Sequence, residues 1–408
     1  MINWMQRFST FLLIFSLALL VDGCATQAPA GQPRITTSAP QGQAIVQEAP
    51  TSAPSTPTET PLGPTKTAPS APTLAENTAP GKPNAANAHI ALILPLNVPA
   101  FRQPAEAVKQ GVLAAAKTQP GSPSVQIYPT SEEANDVLAV YQQALNNGAR
   151  VIVGPLTKSA VVVLAESNLV SVPTLALSVP DVEITNRNLY LFGLSLDVEA
   201  RQVAQYMRQE GRQSVLIISS PTTLGKRLKA AFSETWQRQG GNIVGRFVYT
   251  AGTDLGTLQD NASKVAADAI FLALGAQEAS LVRPYLPSNV ASYATSQVFS
   301  GQSGTNILDL GGVRFLDMPW MLQADHPAVM IFARPDKALN SDSERLYAMG
   351  IDAYRLAQLF YLNTMPTSGP ILDGVTGQIG LSRQQFTREL TAAEFQANTV
   401  VVLDNAQP

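Results

Sequence analysis

The chain has 408 residues, which is enough for one large or two medium domains. Its 27 Lys and Arg against 30 Asp and Glu give a formal net charge of −3, so no basic excess points to nucleic acid and no acidic block points to a charged tail. Two histidines and one cysteine leave little material for a metal site or for histidine-based catalysis, and we expect neither a metal nor a cofactor.

The N-terminus has the features of an export signal. A basic residue precedes an apolar stretch at residues 8–21, which is too short to be a comfortable membrane span. The only cysteine, Cys24, follows at once and resembles the cysteine of a bacterial lipobox, before which signal peptidase II cuts. Asp22 departs from that pattern, and ordinary secretion with cleavage after Ala25 is the alternative. We predict a lipoprotein signal peptide over residues 1–23 and lipidation of Cys24.

Residues 24–88 have the composition of a tether. Pro, Ala, Thr, Ser and Gln dominate, so the segment cannot bury enough apolar surface to order itself. A tether of this length reaches at most about 190 Å when fully polyproline-like and about 45 Å as a flexible coil. We predict a disordered linker that holds a domain away from a membrane, with an inert spacer as the alternative.

From residue 89 onwards, strand and helix patterns alternate. An apolar run at residues 90–94 ends at Pro95 and predicts a strand buried on both faces, and a helix can begin at Pro104. Four such units fill the chain to about residue 180. Their further predicted strands lie at residues 125–128, 151–153 and 173–176, and their further predicted helices lie at 133–147 and 157–168.

A second alternating series follows residue 190. Asp197 and Glu199 lie in the first turn of a predicted helix, where acidic side chains favour the helix dipole. The series continues with predicted strands at 215–218, 243–249 and 269–274 and predicted helices at 224–239, 255–266 and 277–285. Two such series predict an α/β fold of two lobes, each a doubly wound and mainly parallel sheet, as in type I periplasmic-binding proteins.

The last part of the chain is predicted to return to the first lobe at about residue 291. A long helix at 341–361 is apolar on two sides and therefore packs between layers, and residues 374–381 form a bent strand pair. We predict one domain over residues 89–408. Its first lobe would comprise residues 89–190 and 291–365, and its second lobe would comprise residues 191–290 and 366–408.

Sequence motifs for catalysis are not met. Residues 220–227 lack the first glycine and the final Ser/Thr of a phosphate-binding loop, and no Gly-x-Ser-x-Gly elbow occurs. His89 and His326 have no neighbouring nucleophile or metal ligand and are predicted to lie on the solvated surface. Trp236 and Trp320 are predicted to lie in the core.

Three polar residues follow first-lobe strands at their carboxyl ends, where open α/β folds bind ligands. Asn97, Thr157 and Ser178 therefore stand beside the predicted interlobe cleft and are able to bind a small polar ligand there. They serve equally well as caps of helices and turns, which is the interpretation that we favour.

Several stretches resemble the LpoA-type lipoprotein activators of penicillin-binding proteins, over about residues 88–408. The resemblance is carried by short strand-and-turn pieces at residues 93–96, 153–156, 190–195 and 293–297, and above all by the longer stretches at residues 312–320 and 345–355. Longer members of the family carry an N-terminal domain of helical repeats. In this chain the predicted tether occupies the corresponding region.

The resemblance implies a non-catalytic lipoprotein of the outer membrane that faces the periplasm. Such a protein binds and activates a bifunctional class A penicillin-binding protein and so regulates peptidoglycan synthesis. The alternative is a lipid-anchored receptor for an amino acid or a small peptide. Amino-acid receptors of this fold typically carry a Ser-rich first loop and an acidic residue in the cleft, whereas residues 96–99 here read Leu-Asn-Val-Pro. An enzyme is the least favoured class.

Overall fold

The computed structural model describes residues 87–118, 121–301, 308–397 and 399–403. The predicted signal peptide, Cys24 and nearly all of the predicted tether lie outside this part of the chain. Within it, no helix combines the length and the apolar character that crossing a membrane requires.

Strands and helices alternate along the described residues. The strands are β1 (His89–Leu94), β2 (Val125–Pro129), β3 (Ala149–Val153), β4 (Thr174–Ala176), β5 (Leu189–Leu191), β6 (Ser214–Ser219), β7 (Asn242–Val248), β8 (Ala269–Ala273), β9 (Ala291–Ala294), β10 (Val313–Asp317), β11 (Leu372–Gly374), β12 (Gly377–Ser382), β13 (Gln385–Glu389), β14 (Thr391–Gln396) and β15 (Thr399–Val402). The helices are α1 (Pro99–Thr118), α2 (Ala134–Asn146), α3 (Lys158–Glu166), α4 (Leu196–Gln209), α5 (Thr223–Arg238), α6 (Leu255–Lys264), α7 (Ala276–Val282), α8 (Pro319–Leu322), α9 (Pro327–Met330) and α10 (Ser341–Leu362).

These strands form two sheets, one in each lobe. The first has the order β11-β12-β13-β5-β4-β3-β1-β2 and the second has the order β15-β14-β10-β9-β8-β6-β7. Strands β1 to β5 pair in parallel, as do β6 to β10, while β11, β12, β14 and β15 add antiparallel pairs at one edge of each sheet. The predicted two-lobed α/β fold with mainly parallel sheets is confirmed.

Both faces of each sheet are covered by helices. All six residues of β1 are buried, and they divide between two apolar clusters, with Ile90 and Leu92 on one face and Ala91 and Ile93 on the other. The second sheet has the same two-sided arrangement around β8. This burial explains why the central strands are continuous apolar runs rather than alternating patterns.

The predicted division of the chain between the lobes is wrong for β9 and β10 and for β11 to β13, whereas α10 lies with the first lobe and β14 and β15 with the second as predicted. Strands β9 and β10 pair in parallel beside β8 in the second sheet, and β11 to β13 belong to the first sheet beside β5. The chain therefore crosses between the lobes after β5, after β10 and between β13 and β14. A strand belongs to the lobe of the strands with which it forms hydrogen bonds, and the sequence pattern of one strand does not identify those strands.

Helix α1 begins at Pro99 rather than at the predicted Pro104, which lies inside the helix. Proline suits the first position of a helix, and Pro99 takes that place one turn earlier.

The prediction for His89 is also wrong. Its ring is fully buried and hydrogen-bonds with the Asn87 carbonyl at 2.8 Å and the Tyr128 hydroxyl at 3.0 Å. His326 is partly buried and accepts a hydrogen bond from the Ala328 backbone, whereas Trp236 and Trp320 lie in the core as predicted.

Helices α1 and α10 cross at two glycines. A Cβ atom on Gly111 would stand 1.9 Å from the Tyr347 carbonyl oxygen, and one on Gly350 would stand 2.2 Å from the Val108 carbonyl oxygen. No side chain fits at these distances, so the two backbones approach as closely as only glycine allows. This contact fixes α10 against the first lobe.

A buried ion pair joins α10 to the second lobe. The Arg345 guanidinium donates to both carboxylate oxygens of Asp317 at the end of β10, at 2.6 Å from Nη2 and 3.1 Å from Nε. The same Nη2 donates to the carbonyl oxygens of Ser296 at 3.0 Å and Phe299 at 2.8 Å. Because both charged side chains are almost fully buried, each needs the other to offset its loss of hydration.

A second buried pair crosses the lobes beside it. Arg388 of β13 lies 3.7 Å from Glu199 of α4, and the Ser296 hydroxyl donates to the other Glu199 oxygen at 2.6 Å. Burial raises the pKa of Glu199, and the charge of Arg388 opposes that rise. Gln202 of α4 also donates to the Arg388 carbonyl at 2.8 Å. All three crossings are thus tied together by buried and part-buried polar contacts.

We predict that Arg345→Met lowers the free energy of unfolding by about 3–5 kcal/mol, because it leaves the Asp317 carboxylate buried without the guanidinium that pairs with it. The double variant Arg345→Met with Asp317→Leu should recover part of that loss, since the uncompensated charge is gone while the Ser296 and Phe299 carbonyls each lose the Arg345 hydrogen bond. Urea denaturation measures both changes.

The matched control is Arg238→Met, which removes an exposed ion pair with Glu234. It should change the free energy of unfolding by at most about 1 kcal/mol. A loss for Arg345→Met that is no larger than the loss for this control would show that the buried pair does not hold the lobes together.

Candidate functional site

Two adjoining cavities lie at the interlobe cleft. The inner cavity has a volume of about 290 Å³ and the outer cavity has a volume of about 410 Å³. Leu156, Lys158, Ser178 and Leu346 line both, so the two cavities are neighbours. They follow the carboxyl ends of β3 and β4, which is where open α/β folds place ligand sites.

The structure brings two of the three predicted cleft residues together. Thr157 is buried, accepts a hydrogen bond from the Ala160 backbone at 3.4 Å as the cap of α3, and lines the outer cavity. Ser178 is half-buried and lines both cavities. Asn97 is exposed and lines neither cavity, and its backbone N–H donates to the Thr130 carbonyl at 3.2 Å. Whether any of the three binds a ligand stays a prediction.

Leucines from separate elements form part of the wall of the inner cavity. Each is half-buried, and together they come from the loop before α3, the crossing after β5, and helices α4, α5 and α10: Leu156, Leu194, Leu196, Leu224 and Leu346. Apolar walls of this kind hold apolar groups and offer few directional contacts. Sequence reasoning missed these residues because leucine at the start of a helix has the same pattern whether it faces the core or a cleft.

The cations at the cleft already have partners. Lys158 pairs with Asp181 at 3.0 Å on the first lobe, and Arg227 pairs with Asp197 on the second. The hydrogen bond and charge of Lys158 lower the pKa of Asp181, and Arg227 acts in the same direction from across the cleft. Each lobe therefore presents an ion pair at the rim.

An amino acid finds few polar partners here. Of the described residues that line the two cavities, Glu132 is the one with a carboxylate, and it is exposed at the outer cavity. The leucine-lined inner cavity offers no carboxylate for an α-ammonium group among these residues. No cluster of three or more metal-ligating side chains is found within the described ranges.

A family model matches most of the described chain. The model is described as "LppC putative lipoprotein", and its matches cover residues 83–258 and 244–398. The two matches together run from just before β1 to the end of β14.

Curated relatives carry a consistent name. "Penicillin-binding protein activator LpoA" of Enterobacter sp. (strain 638) is 30% identical over 341 residues, which cover 72% of this chain and 46% of the relative. The protein of the same name from Dickeya chrysanthemi is 31% identical over 328 residues, or 69% of this chain and 47% of the relative. The chain thus spans about half the length of the curated relatives that it matches. These relatives are named as activators rather than as enzymes.

Two solved structures are similar in fold and sequence. The LpoA C-domain from Haemophilus influenzae, described as "a regulator of PBP1A", is 25% identical with a TM-score of 0.65, covering 77% of this chain and 99% of that chain. A Chromobacterium violaceum protein described as "a putative branched-chain amino acid ABC transporter" is 38% identical with a TM-score of 0.67, covering 75% and 99%. Sequence and fold agree, and the chain belongs to the LppC (LpoA) family.

Proposed function

We propose that this protein is a non-catalytic activator that binds a bifunctional class A penicillin-binding protein and thereby regulates peptidoglycan synthesis. The observation that carries the proposal is family membership together with the name of the curated relatives, all of them penicillin-binding protein activators. The solved Haemophilus influenzae relative supports it, because its similarity is to the domain that this chain contains.

The geometry of the lobes also supports a docking protein. A receptor closes its lobes around a ligand by bending at the crossings, and such closure needs hinges that absorb backbone rotation. Here the crossings carry two buried Arg–carboxylate pairs, and the described lining of the inner cavity contains no carboxylate. A body whose lobes are held in one arrangement presents a fixed surface to a partner, which lowers the ordering cost of binding.

We propose an outer-membrane location on the periplasmic side, with Cys24 as the lipid anchor and residues 24–88 as the tether. The family description as a lipoprotein supports the anchor. A disordered tether raises the effective concentration of the domain near its partner and adds no contacts of its own. Thr157 and Ser178, which line the cavities, are the candidates for ligand contacts in the cleft.

The binding proposal predicts that the domain of residues 89–408 binds and stimulates a class A penicillin-binding protein of its own organism. Glycan polymerisation or cross-linking by the purified synthase should rise on addition of the domain. Removal of residues 25–80 from the soluble protein should leave this stimulation unchanged, because the tether makes no contacts. A domain that neither binds nor stimulates any class A synthase of the organism would refute the proposal.

The anchor proposal predicts an acylated Cys24 at the N-terminus of the mature protein, which mass spectrometry detects. Deletion of residues 25–80 with the anchor retained should abolish function in cells, because a coil that short cannot span the gap from the outer membrane. A mature N-terminus beyond Cys24 without acyl mass would contradict the anchor. Cells in which the shortened, anchored protein still works would contradict the reach of the tether.

A receptor for an amino acid or a small peptide is the second candidate. The observation in its favour is the 38% identity to the Chromobacterium violaceum protein, whose description names a branched-chain amino acid transporter. The lack of a carboxylate for an α-ammonium group in the described lining of the inner cavity speaks against it.

We predict that no common amino acid or wall peptide raises the melting temperature of the protein. A true ligand at 100 times its Kd would add about 2.7 kcal/mol to the free energy of unfolding, which a thermal-shift screen detects easily. The variant Leu346→Trp, which fills the cleft, serves as the control for any rise that is seen. A saturable rise in the wild type that this variant loses would favour the receptor.

A further inference from the structure

The segment between α8 and α10 presents two large apolar side chains to solvent. Met330, the last residue of α9, is 68% exposed, and the adjacent Ile331 is 54% exposed. Among the large apolar residues that are exposed in the described part of the chain, these two are the only neighbours in sequence. A paired exposure of this kind is typical of an interaction site, whereas single exposed apolar residues are common on any surface.

Cavities lie on both sides of Ile331. One, of about 190 Å³, has Ala115, Phe332 and Leu359 in its lining. The other, of about 630 Å³, is a groove with two walls. Its first wall is a stripe of α1 with residues three and four apart, namely Gln110, Leu113, Ala114 and Lys117. Its second wall is the segment before α10, with Ala333, Arg334, Lys337 and Leu339.

This segment is held in place by the first lobe. The Tyr347 hydroxyl donates to the Ala333 carbonyl at 2.8 Å. The Arg334 guanidinium lies 3.9 Å from the centre of a Trp320 ring and donates to the Trp320 carbonyl at 2.9 Å. The exposed apolar pair therefore stands on a fixed base, so a partner pays little to order it.

The charge around the groove is positive although the chain as a whole carries a formal charge of −3. Lys117, Arg334 and Lys337 line it against the single carboxylate of Asp336. Arg334 also pairs with Glu344 at the edge, at 3.7 Å, which leaves three cations against two carboxylates and a surplus of one positive charge. The ion pairs found among the described residues include neither lysine. A partner with carboxylates fits this rim.

We propose that Met330, Ile331 and this groove, together the Met330 face, form the docking surface for the penicillin-binding protein. The contacting segment of the synthase carries apolar side chains flanked by Asp or Glu. The proposal rests on the proposed function and adds the place and the chemistry of the contact. Apolar anchors supply most of the affinity at such interfaces, and rim charges supply specificity and rate of association.

The test measures binding of the full-length mature protein to a purified class A penicillin-binding protein of the same organism by surface plasmon resonance. The double variant Met330→Ser with Ile331→Ser should raise Kd by about tenfold or more. The variant Lys117→Glu with Lys337→Glu should slow association and reduce its dependence on salt. Leu281→Ser, at an exposed apolar site on the second lobe, and Lys264→Glu, at an exposed lysine of α6, should leave Kd unchanged.

All four substitution sets lie on the surface, so the melting temperature should stay at the wild-type value and report intact folding. A wild-type protein that binds no class A synthase overturns the proposed function and this inference with it. A wild-type protein that binds, together with a Met330/Ile331 variant that binds equally well, overturns this inference alone.

Two other occupants of the face would also overturn it. If sedimentation velocity shows a wild-type dimer that the Met330/Ile331 variant dissolves, a second copy of the chain occupies the face. If removal of residues 25–80 tightens synthase binding by the wild type and has no effect on the variant, the tether occupies the groove.

Discussion

The buried pair of Arg345 and Asp317 is the constraint on which the arrangement of the lobes depends. Arg345 lies on α10, which the glycine crossing fixes to α1 of the first lobe, and Asp317 ends a strand of the second sheet. A buried ion pair is a poor source of net stability, but breaking it is costly, so it selects one arrangement against others. Together with Glu199 and Arg388, it turns three chain crossings into a single tied junction.

This junction gives a physical meaning to the two stretches that carry the family resemblance. Residues 312–320 contain Asp317 and Trp320, and residues 345–355 contain Arg345 and Gly350. The second stretch also contains Asp352, which is fully buried and accepts hydrogen bonds from the Val375 and Thr376 backbone at 3.1 and 2.8 Å. Burial raises the pKa of Asp352, opposed by Arg355. The most specific sequence features thus include the residues that join the lobes, and Leu346 of the second stretch also lines the cleft.

The sequence predicts most of the elements and little of their partnership. Strong local signals, such as the apolar run of β1 or the helical pattern at residues 133–147, depend on neighbours in sequence, and the structure has the predicted strand and helix there. Strand pairing decides to which lobe β9 and β11 to β13 belong, and local sequence patterns carry no information about strand pairing. The roles of His89 and Glu199 were missed for the same reason: both look like surface residues until a distant partner, Tyr128 or Arg388, is placed beside them.

The candidate site shows the same limit. Capping by Thr157 follows from its place before a helix, whereas the leucines of the cleft and the Met330 face arise from elements that are far apart in the chain. Together these features describe a protein whose two lobes are held in one arrangement, whose cleft is partly lined by leucines, and whose outer surface carries the polar and apolar side chains of the proposed docking site. The function proposed for it needs no movement of one lobe against the other.

Hydrogen–deuterium exchange of the protein, alone and with a saturating class A penicillin-binding protein, tests this account most directly. We expect the synthase to slow exchange in the segment from α9 to α10 and in the last turns of α1, and to leave the loops at the cleft unchanged. Slowed exchange confined to the cleft loops and the crossings would show that the lobes close around a ligand or a partner segment, and would contradict the account.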